Sequence, residues 1–211
     1  MTLPKDLRDW VAPDRTALLI VDMQVDFGAP EGLAAQWGLD LSTVPAALAA
    51  AERLADAARA ASVPVVFVGL FTTRETDSDA WDERMRRRGA DPEAGPALCR
   101  AGTPGADFVG PRPKPGERVF RKTRYSPFWD TDIDAELESL GVDTLVIAGL
   151  TTECCVADTA KDAFNHDYQV FIAADACAAY EPDLHAAALK MLDLNTAILT
   201  DTASVTDAWD A

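Results

Sequence analysis

Asp22, Lys122 and Cys155 are of the types that acyl transfer needs: a proton carrier, a cation and a nucleophile. Each lies just past an apolar run. Cys155 falls in Ala148-Gly149-Leu150-Thr151-Thr152-Glu153-Cys154-Cys155-Val156-Ala157-Asp158-Thr159. Residues 144–148 (TLVIA) read as a buried strand and 157–166 as a helix, which places the thiol on a strand-to-helix turn. Such a turn offers unpaired backbone N–H groups and the positive end of a helix dipole, and both favour thiolate over thiol.

Each residue alone has a plainer use. A free cysteine is usually a small buried hydrophobe, an aspartate caps a turn, and a lysine is usually solvated. Their shared placement carries more. Asp22 ends the apolar run 17–21 (ALLIV), and Lys122 comes after the shorter run 117–120. In an open α/β sheet the ligand crevice lies outside the carboxyl ends of the strands. All three side chains therefore point to one crevice.

The segments ALLIV-Asp22, FRKTRYSPF around Lys122 and GLTTECCVADTAKDAF around Cys155 together resemble the Asp-Lys-Cys motifs of the isochorismatase-like cysteine hydrolases. The similarity runs from about residue 16 to about residue 200 and lies with the N-carbamoylsarcosine amidase, ureidoacrylate amidohydrolase and biuret hydrolase branch. It implies a three-layer α/β/α doubly wound fold, with a six-stranded, mostly parallel sheet in order 3-2-1-4-5-6. It also implies Cys155 as nucleophile, Asp22 as general base and acid, and Lys122 as the balancing cation. The oxyanion hole would be formed at Thr151 and Cys155, with a cis peptide at Leu150–Thr151. The implied reaction is hydrolysis of a C–N bond of a small amide, carbamoyl or ureido compound through a thioester. The alternative is an isochorismatase-type vinyl-ether hydrolase, whose members generally lack the cysteine. Nicotinamidases of this superfamily carry an Asp-x-His with a second histidine after the second strand. Here that stretch, residues 69–77 (GLFTTRETD), has no histidine, so no metal and no cofactor are expected. The family is commonly dimeric or tetrameric, which makes a homodimer or homotetramer the expectation.

Composition narrows the partners. The net charge is −16, with a pI of about 4.4. That disfavours nucleic acid and anionic membrane and otherwise serves solubility; a small-molecule substrate is what the resemblance implies. The first residues, MTLPKD, lack the charged and apolar regions of a signal peptide, and no apolar stretch approaches a membrane span. A cytoplasmic protein is the expectation. Cys99, Cys154, Cys155 and Cys177 show no metal or disulfide spacing, and adjacent Cys154 and Cys155 are poorly placed to bridge each other. Cys154 should point away from the site, buried and inert. His166 and His185 fall within helices, away from the strand ends, so a Cys-His pair is not expected.

Strands and helices alternate along one domain covering residues 1–211. An alanine-rich helix is expected over 45–61 and a strand at 65–68. Segment 70–116 is irregular apart from a short helix over 79–88, whose arginines Arg84 to Arg88 read as a solvated face. Such a segment suits a lid or an oligomer contact. Then come a strand at 119–120, a helix capped by Asp130 or Thr131 and stopped at Gly141, the 144–148 strand, the Cys155 helix, a strand at 170–173, a helix over 182–193 and a strand at 197–199. No Gly-x-Gly-x-x-Gly comes after the first strand, which speaks against a dinucleotide site. Pocket walls are sought just past the triad positions. Gln24 and Phe27 lie beyond Asp22, and Tyr125, Phe128 and Trp129 lie beyond Lys122. Arg74 and Arg124 could clamp a substrate carboxylate or ureido group.

Overall fold

The computed structural model describes residues 6–94 and 97–210. Residues 1–5, on which part of the N-terminal reading rests, and residues 95 and 96 of the irregular segment lie outside them. Six parallel strands form one sheet in the order β3-β2-β1-β4-β5-β6. They are β1 Thr16–Val21, β2 Val65–Leu70, β3 Arg118–Lys122, β4 Thr144–Leu150, β5 Gln169–Ala178 and β6 Ile198–Thr200. The order reverses between β1 and β4, whose carboxyl ends carry Asp22 and the Cys155 turn.

Central strands are buried on both faces, which explains their unbroken apolar runs. Leu18, Ile20, Phe67, Val146 and Ala148 face the Val44–Ala60 and Thr202–Trp209 helices. Ala17, Leu19, Val21, Val66, Leu145 and Ile147 face the Ile133–Ser139 and Ala157–Asn165 helices. Each fully buried Leu, Ile or Val contributes about 1.5–3 kcal/mol by leaving water. The Val44–Ala60 helix buries Ala47, Ala50, Ala51, Leu54, Ala55 and Ala58, a helical stripe of mostly small residues.

Two strands run past their expected ends. β4 continues to Leu150, and β5 continues to Ala178 through a register shift opposite Ile147 and Gly149. Gly149 is required there, since a Cβ would sit 2.2 Å from the Val21 carbonyl oxygen. The 130–141 region also differs in its cap. The helix starts at Ile133 after Asp132, and Thr131 Oγ1 accepts from the Ile133 N–H at 3.3 Å. Gly141 ends it with φ +70°. A final helix, Thr202–Trp209, was not expected from the sequence; Asp201 caps it through the Ser204 N–H at 2.8 Å.

Candidate active site

The turn after β1 opens with Asp22 in the left-handed region (φ +51°), a conformation that aspartate tolerates better than most residues. Its N–H donates to the Val68 carbonyl at 2.8 Å, so the side chain is fixed at the strand end. Lys122 closes β3, two strands away. Its ammonium spans the gap, lying 2.6 Å from Asp22 Oδ2. It donates to Cys155 Sγ at 3.4 Å and to the Arg124 carbonyl at 3.0 Å. The ammonium thus makes two hydrogen bonds and one buried ion pair, the last with Asp22. Asp22 and Lys122 are fully buried and Cys155 is 6% exposed.

Cys155 lies in a π-helical turn, Thr152–Val156, at the entry to the Ala157–Asn165 helix. π-turns of this kind are frequent at functional sites. The Thr151 carbonyl accepts from the N–H groups of Cys154 at 3.1 Å and Val156 at 3.2 Å; the Cys155 N–H between them is not among its donors. The Leu150–Thr151 peptide is cis. Thr159 Oγ1 donates to the Cys155 carbonyl at 2.6 Å and anchors the turn from behind.

The electrostatics correct one expectation from the sequence. The turn was expected to favour thiolate. Instead the Cys155 thiol is pushed well up by the neighbouring Cys154 side chain, by burial and by the Asp22 charge, against the pull of Lys122. A helix dipole acts within a turn and is worth little beside a buried carboxylate. Burial raises Asp22 as well, opposed by Lys122 and by the Cys155 thiol. Burial acts to lower Lys122, but Asp22 and Cys155 outweigh it and hold the ammonium protonated. The arrangement therefore sets a protonated Lys122 beside two acidic groups, Asp22 and Cys155, that burial raises together. It can pass a proton between Cys155 and Asp22 while Lys122 keeps its charge.

Several residues expected as pocket walls are structural. Gln24 is buried, and its amide clamps two segments: it donates to the carbonyls of Leu70 (2.9 Å) and Ala106 (2.8 Å) and accepts from the Leu70 N–H (2.8 Å). Asp26 does similar work, accepting from the N–H groups of Cys99 at 2.7 Å and Leu33 at 3.3 Å. Phe27 packs on the core facing the Val44–Ala60 helix, and Phe128 packs on the other core beside His166 and Tyr168. Arg74 is solvated, 3.7 Å from Glu93. Arg124 donates to the carbonyls of Thr76 (2.9 Å) and Thr123 (2.8 Å) and lies over the half-exposed Trp129 ring at 5.0 Å, so it ties the irregular segment to the Lys122 turn. Tyr125 and Trp129 keep exposed ring surface. Tyr125 is half-exposed and packs edge-on against Trp81 (6.4 Å). Burial raises its hydroxyl, and Cys154 and Cys155 add to the shift.

Cys154 is partly exposed rather than buried. His185 is not remote: its Nδ1 lies 2.8 Å from Thr152 Oγ1, under the nucleophile turn. Two further residues are not apparent from the sequence. Tyr180 comes after β5, and its hydroxyl donates to the Phe27 carbonyl at 2.9 Å. Burial pushes that hydroxyl up, and Glu153, Cys99, Cys155 and Asp22 add to the shift. Glu153 Oε1 accepts from Thr151 Oγ1 at 2.8 Å. The signal for Tyr180 is its position after a strand, hidden because the apolar run of β5 is interrupted at Asp175. The signal for Glu153 is a charged residue inside the nucleophile turn. Among the described residues, no group of three or more His, Cys, Asp or Glu side chains gathers as a metal site.

A doubly wound parallel sheet with a buried Asp-Lys-Cys cluster at its switch point defines a class of α/β hydrolases. The chain belongs to the isochorismatase family: the model of the isochorismatase domain matches residues 16–204. It is 32% identical over 209 residues to the ureidoacrylate amidohydrolase RutB of Methylobacterium radiotolerans, covering 93% of this chain and 80% of that protein. An isochorismatase family protein from Desulfovibrio vulgaris superposes with a TM-score of 0.77 at 33% identity, covering 93% of this chain and 98% of that one. A cysteine hydrolase from Pseudomonas syringae pv. phaseolicola shares the fold, with a TM-score of 0.80 at 24% identity and 95% of each chain covered.

Proposed function

We propose that the protein is a cysteine-dependent amidohydrolase that cleaves a C–N bond of a small amide, carbamoyl or ureido compound. The carrying observation is the Lys122 ammonium held between Asp22 (2.6 Å) and Cys155 (3.4 Å). The similarity to ureidoacrylate amidohydrolases supports the bond type.

In this mechanism Asp22 takes the Cys155 proton as sulfur attacks the substrate carbonyl carbon. Lys122 keeps its proton and offsets the charge that passes from carboxylate to sulfur. The carbonyl oxygen becomes an oxyanion held by the N–H groups of Thr151 and Cys155; losing one such donor typically costs about 10²–10³ in rate. Asp22 then gives its proton to the departing nitrogen, and ammonia or an amine leaves a thioester on Cys155. Water, deprotonated by Asp22, attacks that thioester, and the thiol is restored. No cofactor takes part, and neither nucleic acid nor membrane is a partner.

The enzyme acts in the cytoplasm as a homodimer or homotetramer in this reading. Four free cysteines suit a reducing compartment. Among the described residues no helix is long and apolar enough to cross a membrane. The Asp79–Arg87 helix buries none of its residues and leaves Trp81 42% exposed, which suits a contact with a second copy. Light scattering at micromolar concentration should give a multiple of 22.6 kDa; a monomeric mass refutes the oligomer. The reaction is tested by a panel of small amides and ureas assayed for ammonia. Release from at least one, abolished in Cys155→Ala, is the expected result. Pyruvate release from isochorismate with no ammonia from any amide would favour ether cleavage instead.

A further inference from the structure

The Pro182–Asn195 helix carries more apolar surface than its own core uses. Ala188 and Leu192 are buried, and Leu189 packs on the core that faces the Ala157–Asn165 helix. His185 Nδ1 lies 2.8 Å from Thr152 Oγ1. These contacts fix the rotation of the helix about its axis. Yet Leu184 is exposed, and Leu194 is 80% exposed, more than any other large apolar side chain among the described residues. Between them Ala187 is exposed and Met191 is half-buried.

Leu184, Ala187, Met191 and Leu194 follow the spacing i, i+3, i+7, i+10, which is the seam of a two-helix packing. Four apolar residues in one line form a patch, unlike apolar side chains scattered singly over a surface. The helix cannot turn that line inward, because Ala188, Leu192 and the His185 bond hold its opposite flank. Its cover must come from outside the fold. The line is also symmetric about Leu189: Leu184 and Leu194 lie five residues to either side, and Ala187 and Met191 two. A two-fold contact needs a patch that is complementary to itself. Reversing this one sets leucine on leucine and the small Ala187 against the long Met191. Beside the line lie exposed Asp183 and Lys190, one charge of each sign. A second copy therefore meets no uniform like charge there, although the chain as a whole carries −16.

We infer that this line is an interface between two copies of this chain, packed antiparallel about a two-fold axis beside Leu189. Leu184 then meets Leu194 of the partner subunit, and Ala187 meets Met191 of the partner subunit. The four residues form the apolar centre of the contact, and Asp183 and Lys190 belong to its polar rim. The inference rests on the homo-oligomer reading and names a surface for it, separate from the Asp79–Arg87 helix.

The experiment has two arms on the full chain. In the first, sedimentation of the wild type over a dilution series is compared with Leu194→Lys, a change at a residue exposed in the single chain. The variant should halve the assembly mass or weaken association at least about 30-fold, the loss of one interface hot spot. In the second, the double variant Leu184→Cys, Leu194→Cys is oxidised in air and its cross-links are mapped by mass spectrometry. Two chains should be joined, position 184 of one to position 194 of the other. Within one chain these positions are about 15 Å apart along the helix, too far for a disulfide. A monomeric wild type at micromolar concentration overturns this inference together with the homo-oligomer reading. An oligomer that folded Leu194→Lys leaves unchanged, a link joining 184 to 184 or 194 to 194, or no link between chains overturns this inference alone and leaves the oligomer to another surface. The cross-link decides even if Leu194→Lys fails to fold.

Discussion

Lys122 Nζ lies 3.4 Å from Cys155 Sγ while holding Asp22 Oδ2 at 2.6 Å, with all three side chains out of bulk water. The lysine is thus the joint between base and nucleophile. Asp22→Asn should lower turnover by about 10²–10⁴, the usual worth of a positioned proton carrier. Lys122→Ala should do comparable damage by leaving a buried carboxylate unpaired. The double variant should be little worse than the poorer single one, since residues acting as a unit are not additive. Steady-state kinetics on the three proteins decide this; multiplicative losses would sink it.

Cys155→Ala and Cys155→Ser should remove turnover and leave the fold intact, while Cys154→Ala keeps activity within about tenfold. Trapping with hydroxylamine should intercept an acyl group on Cys155 in the wild type. Retained activity in Cys155→Ala, with loss in Cys154→Ala, would reassign the nucleophile.

The directions of the pKa shifts set the pH behaviour. Because burial holds Asp22 above its ordinary range, the acid limb of kcat/KM should lie above about 4, the free aspartate value. Cys155 is also raised, so its alkylation rate in the absence of substrate should keep climbing above about pH 8.5, the free-thiol value. Lys122→Ala removes the cation pulling Cys155 down and should move that climb further alkaline. Lys122 itself is raised on folding, so its contribution to stability is complete below about 10.4 and is lost as pH rises through the folded value. A labelling rate that levels off near neutrality would contradict the Cys155 assignment.

Gln24 and Gly149 test the scaffold. Gln24→Ala strands the buried Leu70 N–H and the Leu70 and Ala106 carbonyls, which should cost about 1–3 kcal/mol in denaturant unfolding. Gly149→Ala forces a methyl against the Val21 carbonyl and should cost about 1–3 kcal/mol or more. Neither residue touches substrate in this reading, so Gln24→Ala should keep measurable turnover at low temperature. Complete inactivity in a folded Gln24→Ala would return Gln24 to the pocket.

Activity should survive exhaustive chelation. After β2 the chain offers Phe71, Thr72, Thr73 and Arg74, and Thr72 is bound to the Leu98 carbonyl at 2.8 Å. Loss with chelator and recovery with zinc, iron or manganese would overturn this.

The sequence by itself determined the sheet and the three residues at its carboxyl edge. Strands such as Thr16–Val21 and Thr144–Leu150 are legible because a strand covered on both faces must be apolar throughout, and the residues just past its carboxyl end must border the crevice. Strand ends were less legible: β5 passes its register shift and ends two residues short of Tyr180, which local pattern does not reveal. Tertiary structure decided everything that depends on the groups lying opposite a side chain. Gln24 and Arg124 look alike as polar residues near the site, yet each is consumed by carbonyls from segments distant in sequence. Cys155 looks like a thiolate at a helix start, yet its Cys154 neighbour, burial and the charge of Asp22, a residue far away in sequence, push its thiol up. Glu153 looks like an ordinary turn charge until the enclosing chain takes one of its oxygens and buries the other. Periodicity and composition are local properties of the chain, whereas protonation and hydrogen-bond satisfaction belong to the neighbours that folding brings together.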